Sequence, residues 1–109
     1  MHNVIFMKLQ EMGFKSNHLG YKYIRDLLYK CLNGENILPL KQNGYKCISL
    51  KYGKSVVSIE KDIQNAISSA WIYGNIDILY AIFQSTIDID KGKPTNKQFI
   101  LTIADLLTS

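Results

Sequence analysis

The sequence has little of what cross-links a chain or anchors it in a membrane. Its 109 residues include two cysteines, Cys31 and Cys47, which form neither a CxxC pair nor a disulfide framework. We expect two half-buried thiols that stay reduced. No apolar run approaches the roughly 20 residues that cross a bilayer, and the start of the chain lacks the basic leader and cleavage site of a secretory signal. These absences predict a cytoplasmic protein without a membrane span.

Arginine is also scarce. The basic residues are twelve lysines and one arginine, Arg25, against nine acidic residues, so the formal net charge is +4 and the sequence pI is about 9.1. This charge gives a mild electrostatic attraction to nucleic acid but does not by itself establish binding. A hydrophobic content of 47% is enough for a core, and the length suits one domain over residues 1–109.

Hydrophobic residues recur with helical spacing along most of the chain, which predicts an all-α fold, a compact bundle of about six helices. The expected helices cover residues 3–12, 18–32, 45–52, 56–72 and 76–84, and a last one begins at about residue 95. Residues 34–44 contain Gly34, Pro39 and Gly44, so we expect a connector there with one short turn of helix. The alternating STIDID within residues 85–94 has no partner strand, so we expect a loop.

Two local patterns give sharper predictions. Thr95 and Gln98 have the spacing of a capping box, so Thr95 should cap the last helix. Trp71 lies on the apolar side of the helix over residues 56–72, so we expect it in the core and not stacked on a base. The other helices are expected to bury Val4, Ile5, Leu9 and Met12, then Leu19, Tyr23, Leu27 and Leu28, then Ile78, Leu79, Ile82 and Phe83, and finally Phe99, Ile100, Ile103 and Leu106 or Leu107.

Residues 45–72 have the order of a helix-turn-helix unit, in which a short helix, a tight turn and a longer helix place the second helix in the major groove of DNA. Ser55 is the expected N-cap of the longer helix. Its expected core-facing residues are Ile59, Ile63, Ala66, Ile67, Ala70 and Trp71. Polar side chains lie opposite, at Ser58, Lys61, Asn65 and Ser68, with Glu60 and Gln64 on the flanks. Such a face could hydrogen-bond to base edges in the major groove. In most amphipathic helices, however, the corresponding face is polar only because it is exposed to solvent.

Four strings of residues resemble one protein family over nearly the whole chain. They are GYKYIRD at Gly20–Asp26, IEKxIxxAIxxAW within Ser58–Trp71, YGNID at Tyr73–Asp77 and KPTNKQFI at Lys93–Ile100. In this order and spacing they are similar to the C-terminal DNA-binding effector domain of the stage 0 sporulation master response regulator of Firmicutes. The resemblance implies a helix-turn-helix bundle that binds short repeated promoter boxes in double-stranded DNA. It also implies transcription regulation through RNA polymerase, and a homodimer on DNA.

The expected DNA-binding residues cluster at the start of the longer helix. They are Lys54, Ser55, Ser58, Glu60, Lys61, Gln64 and Asn65. The resemblance matches Glu60 to the family's glutamate and places Lys61 where the family has an arginine. The pair is therefore expected to read a C·G base pair, with glutamate accepting from cytosine and lysine donating to guanine. Lysine lacks the guanidinium fork, so discrimination should be weaker than with arginine.

The charges of this helix depart from the family, in which the helix is rich in arginine. Here it has none, Asp62 replaces a small apolar residue, and the charges from Ser55 to Trp71 sum to a net negative value. Attraction to phosphate must then come from lysines around the helix, namely Lys46, Lys51, Lys54, Lys91, Lys93 and Lys97. The alternative function is a protein-interaction module of the same fold, acting on RNA polymerase or on the full-length regulator. Because the sequence contains no receiver domain, we expect an excised effector domain or a stand-alone paralogue.

Other chemistries find little support in the sequence. Lys91–Thr95 lacks the first glycine of a phosphate loop and is interrupted by proline. His2 and His18 have no ligand-spaced partners, and Asp88 and Asp90 begin no EF-hand pattern. No serine or cysteine has a base evident from the sequence. We therefore expect no catalytic residue, no metal and no cofactor, and a protein that is not an enzyme.

Overall fold

Six α-helices and one π-helical turn organise residues 2–83 and 92–108, the part of the chain that the computed structural model describes. The helices are α1 (His2–Glu11), α2 (Leu19–Leu32), α3 (Tyr45–Tyr52), α4 (Val56–Tyr73), α5 (Ile76–Phe83) and α6 (Asn96–Thr108). The π-helical turn, Leu40–Gly44, is the short turn expected in the connector. No strand occurs in these ranges, so the all-α prediction is confirmed. The loop expected over residues 85–94 falls mostly outside the described residues.

Helix α2 is the centre of the bundle and packs chiefly against α4 and α6, with α1 on a further side. Its core side chains include Tyr23, Ile24, Leu27 and Leu28, all fully buried. Aromatic rings complete the core between α5 and α6. The rings of Phe83 and Phe99 stack with centroids 5.4 Å apart, and Phe14 packs on Phe99 at 5.2 Å. This core supports the inner face of α4 and leaves its outer face to solvent.

Glycine allows α2 and α4 to come close together. A Cβ atom built on Gly20 would lie 2.2 Å from the carbonyl oxygen of Asp62 and 2.8 Å from Cβ of Ala66. No side chain fits at such distances, so the first turn of α2 can lie against α4 only with glycine there. The GYKYIRD string thus begins with a packing residue.

A second pair of glycines brings two chain segments into contact. A Cβ atom on Gly13 would lie 2.4 Å from Cα of Gly74, and one on Gly74 would lie 2.5 Å from the carbonyl oxygen of Met12. The corner between α4 and α5 therefore rests on the turn that follows α1. Asn75 then begins α5, because its Oδ1 accepts from the backbone N–H of Ile78 at 3.3 Å. The YGNID string accordingly has a structural explanation.

The predicted buried faces are correct at the centres of the helices and wrong at the starts of two of them, where Val4 and Leu19 are 52% and 59% exposed. Of the two alternatives expected at the end of α6, Leu107 is half-buried against the core. Trp71 is half-buried, at the edge of the core, with its ring edge-on to Phe83 at 5.4 Å. Its Nε1 is buried without a hydrogen-bond partner within the described ranges.

The thiols also differ from expectation in one case, since Cys31 is half-buried as predicted but Cys47 is exposed; both are free of disulfides. Among the described helices, none alone has the length and hydropathy needed to span a membrane, and only α4 together with α5, bent by 119°, meets that test.

Candidate nucleic-acid interface

A three-residue turn, Gly53–Ser55, joins the short helix α3 to the long helix α4. Gly53 ends α3 with a left-handed backbone, φ 67°, and its N–H donates to the carbonyl of Ser49 at 2.9 Å. Ser55 begins α4 as predicted, because its Oγ accepts from the N–H of Ser58 at 3.1 Å. Short helix, glycine turn and long helix follow in the order of a helix-turn-helix unit.

Helix α4 buries one face and exposes the other, as expected. Of the six core-facing residues predicted, Ile59, Ile63, Ala66, Ile67 and Ala70 are buried and Trp71 is half-buried. The seven predicted DNA-binding residues lie together in the turn and the first three turns of α4. Six of them are exposed, and Glu60 is half-buried. The structure therefore brings the predicted residues to one accessible surface.

The side chains of Ser55 and Ser58 at the start of α4 are hydrogen-bonded to each other, and Ser55 also accepts from the backbone N–H of Ser58. Ser55 Oγ donates to Ser58 Oγ at 3.0 Å. Part of the hydrogen-bonding capacity of both side chains is thus used by the helix cap. Lys54 and Lys61 have no ion pair within the described ranges, and both are exposed, so their ammonium groups can meet an incoming anion.

Glu60 has a neighbour that the sequence did not predict. Nζ of Lys41, in the π-helical turn, lies 3.9 Å from Oε2 of Glu60, with the two side chains 68% and 40% exposed. The backbone carbonyl of Glu60 also accepts from Nδ2 of Asn96 at 3.0 Å. Lys41 lies in the irregular connector, where hydrophobic periodicity carries no information about which helix it approaches. Only the fold places this cation beside the predicted cytosine reader.

A groove of about 440 Å³ runs between α4, the π-helical turn and the start of α6. Its cations are Lys41, Lys93 and Lys97, and its α4 wall presents Glu60 and Gln64. The other lining residues are Leu40, Tyr45, Ile67, Pro94, Thr95 and Asn96. With three lysines against one carboxylate, the groove favours a negatively charged group such as a backbone phosphate.

The start of α6 is held by the residues of the KPTN string. Thr95 Oγ1 accepts from the N–H of Gln98 at 3.1 Å, and Gln98 Oε1 accepts from the N–H of Thr95 at 2.9 Å, so the predicted capping box is confirmed. Asn96 Nδ2 donates to the hydroxyl of Tyr45 at 3.2 Å besides its bond to α4. Asn96 thereby ties α6 to both α3 and α4.

The lysines expected to attract phosphate are not equivalent. Lys46, Lys54 and Lys97 are exposed. Lys51 donates to Asp26 at 2.9 Å, and Lys93 donates to the hydroxyl of Ser68 on α4. The structure thus commits Lys51 and Lys93 to contacts within the bundle. Lys91 lies outside the described residues.

Asp26 is the centre of a polar cluster that fastens the end of α3 to α2. The carboxylate, nearly buried, accepts hydrogen bonds from Tyr52, Lys51 and Arg25. Burial alone would raise the pKa of Asp26, but these three donors outweigh it and hold the pKa below its ordinary value of 3.8. Tyr52 is the last residue of α3, so the cluster holds the end of that helix, just before the turn into α4, against α2. It also occupies Arg25, which donates to Tyr52 at 3.4 Å.

Nothing in the described part of the chain forms a group of three or more histidine, cysteine, aspartate or glutamate side chains that could hold a metal. His18 instead caps α2, its Nδ1 accepting from the N–H of Gly20 at 3.2 Å. The side chain of His2, like Asp88 and Asp90, lies outside what the structure describes.

In a comparison with protein families, a family model matches residues 5–107 and therefore nearly the whole chain. The matching family model is described as "Sporulation initiation factor Spo0A C terminal". It covers all four strings on which the sequence resemblance rests.

Proposed function

The chain belongs to the Spo0A C-terminal family of sporulation initiation factors, a family of helical DNA-binding regulator domains, and from this we propose that it is a sequence-specific transcription regulator. In this proposal α4 enters the major groove of promoter DNA, since a recognition helix contacts base edges with its N-terminal residues. One observation carries the proposal. The seven predicted residues form a single exposed surface at the start of α4, directly after a tight turn.

Glu60 and Lys61 are the proposed base-reading pair. Glutamate accepts from N4 of cytosine, and lysine donates to guanine on the opposite strand. One contact supports this role for Glu60, because Asn96 donates to its backbone carbonyl and so holds α4 at this point. Because lysine is a single flexible charge, the pair discriminates less than a glutamate beside an arginine.

Phosphate contacts are assigned to cations on both sides of α4. Lys54 lies in the turn that precedes the helix, and Lys41 and Lys97 line the groove beside it. A helix that is itself net negative needs such flanking cations to approach DNA. RNA polymerase and a second copy of the chain on DNA complete the proposed partners, both taken from the family.

The test is a binding comparison on a duplex that carries a family-type promoter box, with the C·G pair intact or inverted. Inversion should weaken binding of the native protein, and Lys61→Arg should enlarge that difference, because a bidentate contact contributes about 1–3 kcal/mol of discrimination. Glu60→Ala should reduce preference at the cytosine. Lys15→Ala, an exposed lysine on the turn after α1, is the control and should leave the difference unchanged.

A second candidate function is the protein-interaction module. Two observations favour it: Asp62 adds a negative charge to α4, and Lys41 already partners Glu60. If inverting the C·G pair changes nothing and Lys61→Arg produces no preference, the surface of α4 does not read DNA in the proposed way. If the protein nevertheless binds RNA polymerase or the full-length regulator, the protein-interaction module is the better description of its function.

A further inference from the structure

Val57 is an apolar side chain at the centre of the polar surface of α4. It is the second residue of α4, and its side chain is 74% exposed although it is apolar. Counting along the helix, Val57, Lys61 and Gln64 are spaced i, i+4 and i+7, so they share one stripe. That stripe is the one proposed to face DNA.

Val57 is the exposed apolar side chain in the first turn of α4, since Val56 is half-buried and Ile59 is buried. The serines beside it are hydrogen-bonded to each other at 3.0 Å, and one also accepts from the backbone at 3.1 Å. The isopropyl group of Val57 has no hydrogen-bonding role and points to neither the core nor the cap. A partner for it must offer an apolar atom within an otherwise polar, anionic surface.

We propose that Val57 contacts the C5-methyl group of a thymine in the major groove and so adds a thymine preference to the site. This inference rests on the proposed function. Thymine is the base whose major-groove edge presents a methyl group, and aliphatic side chains recognise it by apolar contact. The N-terminal residues of a recognition helix are those that approach base edges. Val57 lies one turn of α4 before Lys61. The thymine that it contacts should therefore lie next to the base pair that Lys61 reads.

The experiment compares thymine with deoxyuridine, which lacks only the methyl group. A bound duplex is first selected from a random double-stranded pool with the native protein. Each thymine of that duplex is then replaced in turn by deoxyuridine, and the affinities are measured. At one thymine position we expect a loss of roughly fourfold, the factor contributed by one buried methyl group. Val57→Ala should bind the thymine duplex more weakly and show a smaller difference between thymine and deoxyuridine at that position, because its shorter side chain loses most of the apolar contact.

Leu50→Ala is the matched control, because Leu50 is equally apolar and 78% exposed but lies on α3. It should leave the thymine-to-deoxyuridine ratio unchanged. Since Val57→Ala removes no charge, the dependence of its affinity on salt should also stay that of the native protein.

The possible failures are distinguishable. If no duplex is selected above background, the proposed function fails and this inference fails with it. If a duplex is bound but no deoxyuridine position weakens binding, or if Val57→Ala retains the full discrimination, DNA binding stands and the role of Val57 is wrong. Loss of discrimination in Leu50→Ala but not in Val57→Ala would also overturn it.

Discussion

At the scale of single residues, the protein uses its one arginine for structure. Arg25 contacts Asp26 at 3.1 Å and shares the cluster with Lys51 and Tyr52. Guanidinium is the group best suited to reading guanine, yet here it lies half-buried on α2, away from the surface of α4. The contacts that hold α3 against α2 and the contacts proposed to read bases are thus made by different side chains.

Asp26→Asn should lower the free energy of unfolding at neutral pH by about 1–3 kcal/mol, because it removes the charge that three donors share. The folded-state pKa of Asp26 lies below the ordinary value of 3.8. Its stabilisation is therefore fully present above that value and is lost as pH falls through the folded-state pKa. Urea unfolding followed by circular dichroism, near pH 7 and below about pH 3, measures the destabilisation by Asp26→Asn and its dependence on pH.

The difference between native protein and Asp26→Asn should shrink on the acid side, where both side chains are uncharged. Tyr52→Phe is the companion variant, since it removes one donor and keeps the carboxylate. A destabilisation by Asp26→Asn that is the same at both pH values would contradict the assigned cause.

At the scale of secondary-structure elements, the bundle depends on close approach as much as on apolar area. The first turn of α2 lies on α4 at Gly20, where an added Cβ would meet the carbonyl of Asp62 at 2.2 Å. The obstacle is backbone, which a flexible side chain cannot move aside. The position of α4, and hence of its exposed surface, therefore depends on one missing methyl group.

Gly20→Ala should consequently destabilise the fold by about 1–3 kcal/mol, the usual cost of overpacking, even though alanine favours an isolated helix. Leu19→Ala, at an exposed neighbour in the same turn, is the control and should change stability far less. Denaturant midpoints of the two variants decide the point. A stabilised Gly20→Ala would show that helix propensity outweighs the contact.

The sequence predicted the helices well because helix caps and hydrophobic periodicity depend on residues that are close together in the chain. Ser55 and Thr95 mark the starts of α4 and α6, and the five fully buried residues of α4 follow from its spacing. Contacts between distant segments could not be predicted in this way. Lys41 beside Glu60 and Asn96 beneath α4 join parts of the chain that share no pattern. Val4 and Leu19 were predicted to be buried but are exposed, because a helical wheel does not show where a neighbouring helix ends.

At the scale of the whole molecule, a net charge of +4 is arranged around a helix that is net negative. Lys54 precedes α4, and Lys41 and Lys97 line the groove beside it. Such a distribution attracts a polyanion to the lysines on either side of α4 and brings the short polar side chains of α4 close to it. Affinity and specificity should then respond to different mutations.

Lys54→Ala should reduce the slope of log affinity against log salt by about one, because one phosphate contact is lost, while base preference stays unchanged. Lys15→Ala should leave the slope at its native value. Fluorescence anisotropy of a labelled duplex over a series of salt concentrations gives both slopes. A native slope near zero would argue against phosphate contacts and for the protein-interaction module.

The half-buried Trp71 gives the molecule an optical reporter of its own. It is the single tryptophan of the chain, edge-on to Phe83 at the far end of α4, about 21 Å along the helix from Val57. Its emission should move to longer wavelength when the bundle opens and the indole enters water, and should stay nearly constant when DNA meets the first turns. Recording tryptophan fluorescence while DNA is titrated into the protein would therefore distinguish a variant that is unfolded from one that is folded but has lost a single contact to a base.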